Sequence, residues 1–289
     1  MPPIARAFIF LAIGAGLQAI VGFAITPALL GGSGTGTLVL ALIGMAGAAA
    51  YGFFAGLKDV YDFGPRGIAM FVIDVTWSAL NTLTGLVFLI RCAVNGIYQA
   101  PTDDSRKRGI IHYEDTPGTG QPKAALGGAD ATTIGNVMGG KWMTHETIHV
   151  QQARIFGPFY WFTYLFGYFA GLVAALVAMI FPSRRLNLHW EAYGRVVMED
   201  WAYQSAPVTR DPANPATLIL KGPIRPGYWL LWFGLASVNV LAIAAIIAPI
   251  PVLGAIPAAI GLGAISWWIG LIVLLIYGGI RACFDKAQG

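Results

Sequence analysis

The sequence predicts a mainly α-helical, polytopic membrane protein, with about five transmembrane helices, one re-entrant helical hairpin and a small α+β insertion. Three observations carry this prediction. Apolar residues make up 56% of the 289-residue chain and charged residues only 11%, where soluble domains carry roughly a quarter charged residues. Mean hydropathy is +0.65. Apolar runs long enough to cross a bilayer recur along the chain, separated by shorter polar stretches. The net charge of +4 is not a nucleic-acid signature, because the basic residues flank apolar segments as membrane topology requires.

Three regions follow: residues 1–98 with three membrane helices, residues 99–226 with most of the polar sequence, and residues 227–289 with two more membrane helices. Residues 4–30 form the first apolar segment, with Arg6 as its one charged side chain. A secretory signal is the competing reading, and the run is long for a signal core. Gly31 to Gly36 is a polar turn. Residues 37–57, rich in Gly and Ala, suit close helix packing in lipid. After a short charged loop, residues 67–98 read as one long segment containing Asp74 and Asn81. A carboxylate at that depth is a candidate functional group, and a partner within the bundle or a place near the interface is the favoured reading. Pro101 to Pro122 reads as loop, and Arg106-Lys107-Arg108 as a lipid-headgroup contact or topology signal. The β-type run Ala131 to Met138, closed by Gly139-Gly140, predicts a strand or hairpin. Thr144 is the expected N-cap of the helix that follows.

That helix carries the chemistry. Thr144-His145-Glu146-Thr147-Ile148-His149 is an HExxH pattern. Residues four apart stack on one helix face, so His145 and His149 can offer two imidazoles to one metal ion. Glu146 lies beside them as a candidate general base, and Gln152 falls on the same face one turn on. A zinc site needs a third protein ligand and an open fourth position. The two remaining histidines, His112 and His189, do not follow the motif within the next turns, and the two cysteines make no metal site. Carboxylates remain: Glu191 on an expected helix over 186–204, with Glu199, Glu114 and Asp115 as alternatives.

With Glu191 in the stretch Asn187-Leu188-His189-Trp190-Glu191-Ala192-Tyr193-Gly194-Arg195, the chain resembles the gluzincin class of zinc metallopeptidases over residues 126–204. The run from His145 through Gln152 to Gly157-Pro158-Phe159-Tyr160 is also similar to uncharacterised bacterial membrane-associated proteins with an HExxHxxQ then GPxY pattern. The resemblance implies a zincin-like insertion in which His145, His149 and Glu191 hold Zn2+ and Glu146 activates water. Many gluzincins carry an acidic residue one turn after the ligand Glu; here that position is Arg195. Asn187, His189, Tyr193, Arg195 and Glu199 are the further candidates for supporting the site or touching substrate.

Residues 157–181 are apolar for about 25 residues and could span a bilayer. A straight span would separate His149 from Glu191 by roughly 30 Å, which no shared ion tolerates. A re-entrant hairpin turning near Gly167 and Gly171 resolves the conflict. It also places 15 of the 18 Lys and Arg on one side, as the positive-inside rule prefers. The expectation is therefore a membrane-embedded zinc metallopeptidase of the bacterial inner membrane. Its site lies near the cytoplasmic face, and its substrate is a membrane-associated polypeptide. The rivals are a zinc amidase acting on a lipid or cell-envelope amide, and a non-catalytic scaffold or transporter with a structural metal. A di-iron oxygenase is excluded, because it needs a second Glu-x-x-His pair or many more histidines.

Overall fold

The computed structural model describes residues 1–25, 35–116, 124–126, 129–178, 193 and 196–206. They belong to two units, residues 1–158 and residues from 159 onward.

The first unit begins with α1 (Pro3–Ile20), which runs into a π-helical turn over Val21–Ile25. Proline opens α1 because its missing N–H has no partner to lose in the first turn. α1 packs antiparallel on α2 (Thr35–Leu57), with Gly14 against Ala48, Gly22 against Ala41, Gly52 against Phe10 and Gly56 against Ala7. α3 (Pro65–Val75) and α4 (Ala79–Asn95) follow. The segment 67–98 is thus not one helix: α3 and α4 meet at 88°. The bend is held by side chains that take the last carbonyls of α3. Gln18 donates to the Val75 carbonyl, Thr82 to that of Asp74 (2.6 Å) and Thr76 to that of Val72 (2.6 Å).

A mixed four-stranded sheet follows, formed by β1 (Gly96–Tyr98), β2 (Ile111–Asp115), β3 (Ala131–Ile134) and β4 (Val137–Gly140) in the order β1-β2-β4-β3. β2 pairs with β1 antiparallel and with β4 parallel, and β3 and β4 form an antiparallel hairpin in which Ala131 faces Gly140. The hairpin turns at Gly135, whose φ of +61° suits glycine. A Cβ there would stand 2.2 Å from the Asn81 carbonyl oxygen. The short helix α5 (Asp103–Arg108) lies between β1 and β2, capped by Thr102. The run Arg106-Lys107-Arg108 is largely paired within the chain: Arg106 with Asp59 and Asp103, and Arg108 with Asp104. One core joins helices and sheet, with Phe10, Tyr61, Phe71, Val75, Phe88, Ile111 and Val137 in mutual contact. α6 (Thr144–Phe156) closes the unit. Its N-cap is Met143, with extended backbone and no side-chain cap, so Thr144 is the first helical residue and not the expected cap.

A 3₁₀ turn over Gly157–Phe159 leads into the second unit, in which α7 covers Tyr160–Ala178 and α8 Val197–Ser205.

The fold class read from composition is overturned. Among the described residues one helix, Pro3–Phe23, is long and apolar enough to cross a membrane, or two if the bent α3–α4 pair counts as one span. Phe71, Val75, Phe88 and Cys92 of segment 67–98 fill a core shared with the sheet, while Val87, Ile90 and Val94 are exposed. The re-entrant hairpin is corrected as well. α7 is a single helix running through both Gly167 and Gly171, so the charge split that relied on a turn there loses its footing. The spans expected at 227–249 and 252–280 lie outside the described residues.

Candidate metal centre

α6 buries polar side chains on its inward face: His145, Glu146 and His149 are nearly inaccessible and Gln152 is fully so. Buried polar groups cost stability unless they are partnered, so this helix face is arranged for something other than packing. The two imidazoles converge, with His145 Nε2 and His149 Nε2 3.1 Å apart. Two nitrogens sharing one tetrahedral zinc stand about 3.3 Å apart, so the pair already has nearly that separation. His149 Nδ1 lies 2.8 Å from Gln152 Oε1. With Nδ1 donating to the amide oxygen, the Nε2 lone pair is left facing His145, which is the tautomer a metal ligand needs. The donor set fits a borderline-soft divalent ion.

Three neutral donors from the α3–α4 bend seize the carboxyl end of α6. Trp77 Nε1 donates to the Ile155 carbonyl (3.2 Å). Ser78 Oγ donates to that of Ala153 (3.0 Å), and Asn81 Nδ2 to those of Ala153 (3.0 Å) and Gly157 (2.8 Å). They satisfy carbonyls that a helix end leaves open. Gly157, with φ +54°, then ends the helix where a Cβ would stand 2.4 Å from the Trp77 ring.

Asp74 of α3 is partnered by Arg154 of α6. Arg154 Nε and Nη2 donate to its two oxygens at 2.8 and 2.7 Å. Arg154 also donates to the carbonyls of Arg108 and Gly109, and Tyr61 donates to Asp74 (2.5 Å). Asn136, from the β3–β4 turn, donates to the Gly109 carbonyl (3.0 Å). α3, α6 and the end of α5 thus meet at one buried guanidinium. Arg154 was not among the residues picked out by sequence, although a buried carboxylate implies a cation somewhere. β3, at the edge of the sheet, lies against α6.

His112, the histidine outside the motif in this unit, lies on β2 with Nε2 2.8 Å from the Gly140 carbonyl oxygen and its ring edge-on to Trp142. Burial holds its imidazole below the usual histidine range, against the opposing pull of that carbonyl. It supports the turn into α6 through the Gly140 carbonyl.

In the second unit, Glu199 on α8 is buried and accepts from two phenols, Tyr164 Oη (2.9 Å) and Tyr193 Oη (2.6 Å). Burial first, and the Glu199 charge second, push the Tyr193 hydroxyl well above the ordinary phenol range, so it stays protonated as a donor. Tyr164 carries no sequence signal, being one aromatic among many on an apolar helix. Of the other residues expected at the site, Asn187, His189, Glu191 and Arg195 lie outside the described residues. Compared with known proteins, the chain matches no family model, no curated protein and no solved structure.

Proposed function

We propose that the chain is a zinc-dependent metallopeptidase in which His145, His149 and Glu199 hold the ion and Glu146 is the general base. The observation that carries this reading is the convergent pair of Nε2 atoms on a buried helix face, one of them fixed by Gln152. Two imidazoles and a carboxylate are the donors of hydrolytic zinc sites and leave a fourth position open. Glu199 is preferred as the carboxylate because it is a buried carboxyl group already oriented by two hydroxyl donors. Glu191 is the alternative.

When bound, such an ion supplies an acidified water and a polarised carbonyl. Glu146 follows His145 directly on the buried face. It accepts the proton of the attacking water and delivers it to the leaving amine. Gln152 keeps His149 in one tautomer throughout. The edge position of β3 beside α6 supports a polypeptide substrate over a lipid amide, since an open strand edge can pair with an extended chain.

Metal analysis of the purified full chain tests the reading. Wild type should carry about one zinc. His149→Ala and Glu199→Ala should lose it, while Glu191→Ala and Glu146→Gln keep it, the last without peptide hydrolysis. Retention in Glu199→Ala with loss in Glu191→Ala moves the third ligand to Glu191. A wild-type protein that binds no zinc when zinc is supplied overturns the peptidase reading.

A further inference from the structure

From Ala7 through Leu57 the chain has no Asp, Glu, Lys, Arg or His. These 51 residues contain all of α2 and all but the first turn of α1. The seam and the outward face of the two helices differ from those of a soluble pair. Their seam is made of small residues: a Cβ on Gly52 would stand 2.4 Å from the Phe10 carbonyl oxygen, on Gly56 2.6 Å from the Ala7 Cα, and on Gly14 2.7 Å from the Ala48 carbonyl oxygen. Phe10 and Tyr51 turn toward the core around Phe71, and the large side chains of the opposite face are exposed. Phe8, Ile20, Leu42 and Ile43 are 58%, 57%, 51% and 55% exposed. In water, helices bury their large apolar side chains and expose polar ones. Small residues inside and large aliphatic ones outside is the arrangement of helices that meet in lipid, where close backbone approach and not apolar burial holds the pair.

The charges that do occur mark a boundary. Arg6 donates to the Gly56 carbonyl (2.7 Å) and pairs with Asp59 (2.5 Å), and Arg106 approaches the same carboxylate (3.3 Å). This node sits at the end of the α1–α2 pair formed by the start of α1 and the end of α2, beside α5. At 1.5 Å per residue, the 18 residues of α1 extend about 27 Å, close to the roughly 30 Å of a hydrocarbon core.

We propose that the outward face of the α1–α2 pair is a lipid-docking surface, buried in the acyl region of a bilayer with the Arg6–Asp59–Arg106 node at the headgroup level. The proposal is independent of the peptidase reading, since no metal ligand lies on these helices.

The full chain, purified in detergent and reconstituted with phosphatidylethanolamine–phosphatidylglycerol vesicles, should float with the lipid and resist carbonate extraction. A Phe8→Glu, Ile43→Glu double variant should lose at least tenfold in the carbonate-resistant fraction. Because that variant could misfold, nitroxides at Phe8→Cys, Ile43→Cys and Lys107→Cys provide a second measurement. The first two should be relaxed by oxygen and shielded from a water-soluble nickel chelate, and Lys107→Cys the reverse. Nickel access at Phe8 and Ile43 equal to that at Lys107 overturns the proposal. So does a wild-type protein that stays in the aqueous fraction without detergent, whether monomeric or as a soluble oligomer with the face covered by a second copy. Recovery of the cell-expressed chain without its first helix, the mark of a cleaved leader, overturns it as well.

Discussion

Arg154 is the residue whose removal should be felt most widely. Its side chain is 11% exposed and that of Asp74 only 2%, and two of its nitrogens contact the two carboxylate oxygens at 2.8 and 2.7 Å. Arg154→Met keeps much of the side-chain volume but strands a buried carboxylate. Breaking a buried pair from one side costs about 3–5 kcal/mol. At about 2–4 °C per kcal/mol for a domain of this size, the midpoint of thermal unfolding should fall by roughly 6–20 °C. Removing both charges tests the cause. Asp74→Leu combined with Arg154→Met leaves no stranded ion, and such replacements are often neutral. The double variant should recover most of the loss, less about 1 kcal/mol for the Tyr61–Asp74 hydrogen bond that is removed with it. The assay is thermal unfolding of both variants and wild type in one mild detergent. A single variant within about 1 kcal/mol of wild type, or a double variant as unstable as the single, would refute the reasoning.

Three further outcomes are expected. Gly135→Ala, at φ +61° and facing the Asn81 carbonyl, should destabilise by about 1–3 kcal/mol in the same assay, whereas Gly16→Ala, in open space, should not. Gln152→Leu frees the His149 ring and should weaken zinc binding by about 10–100-fold in a chelator competition, with the helical circular dichroism unchanged. His112 is held neutral by burial, so its folded-state pKa lies below its unfolded value. The unfolded state then takes up the proton first, and stability is full above the ordinary histidine range and falls as pH drops through it toward the lowered value. His112→Gln should show a smaller loss of unfolding midpoint than wild type between pH 7.5 and pH 5.5.

The helix of the site was readable because its signal is local: HExxH needs only the four-residue stacking of a helix, and Gln152 extends it by one turn. The β3–β4 hairpin was readable for a similar reason, a β-branched run closed by glycines. The bend between α3 and α4 was not, because hydropathy does not register it. Residues 67–98 are apolar on average, their polar residues between Asp74 and Thr84 fit a helix as well as a bend, and the carbonyls freed at the bend are taken by Gln18 and Thr82, from another helix and the next one. β1 and β2 have three and five residues, too short for a period to appear. Gly167 and Gly171 suggested a turn, yet an apolar helix tolerates glycine when its backbone bonds stay intact. The proposed third ligand is the hardest of all, since spacing along the chain alone does not decide between Glu191 and Glu199.

The donors that grip the end of α6, Trp77, Ser78 and Asn81, carry no charge and do not titrate. Contacts of that kind are indifferent to ionic strength, unlike the solvent-facing pair of Arg108 with Asp104, which salt screens. The aim of the two histidines is therefore set by a clamp that works equally in dilute buffer and in brine. Salt can loosen α5 while the angle at which His145 and His149 meet stays as it was.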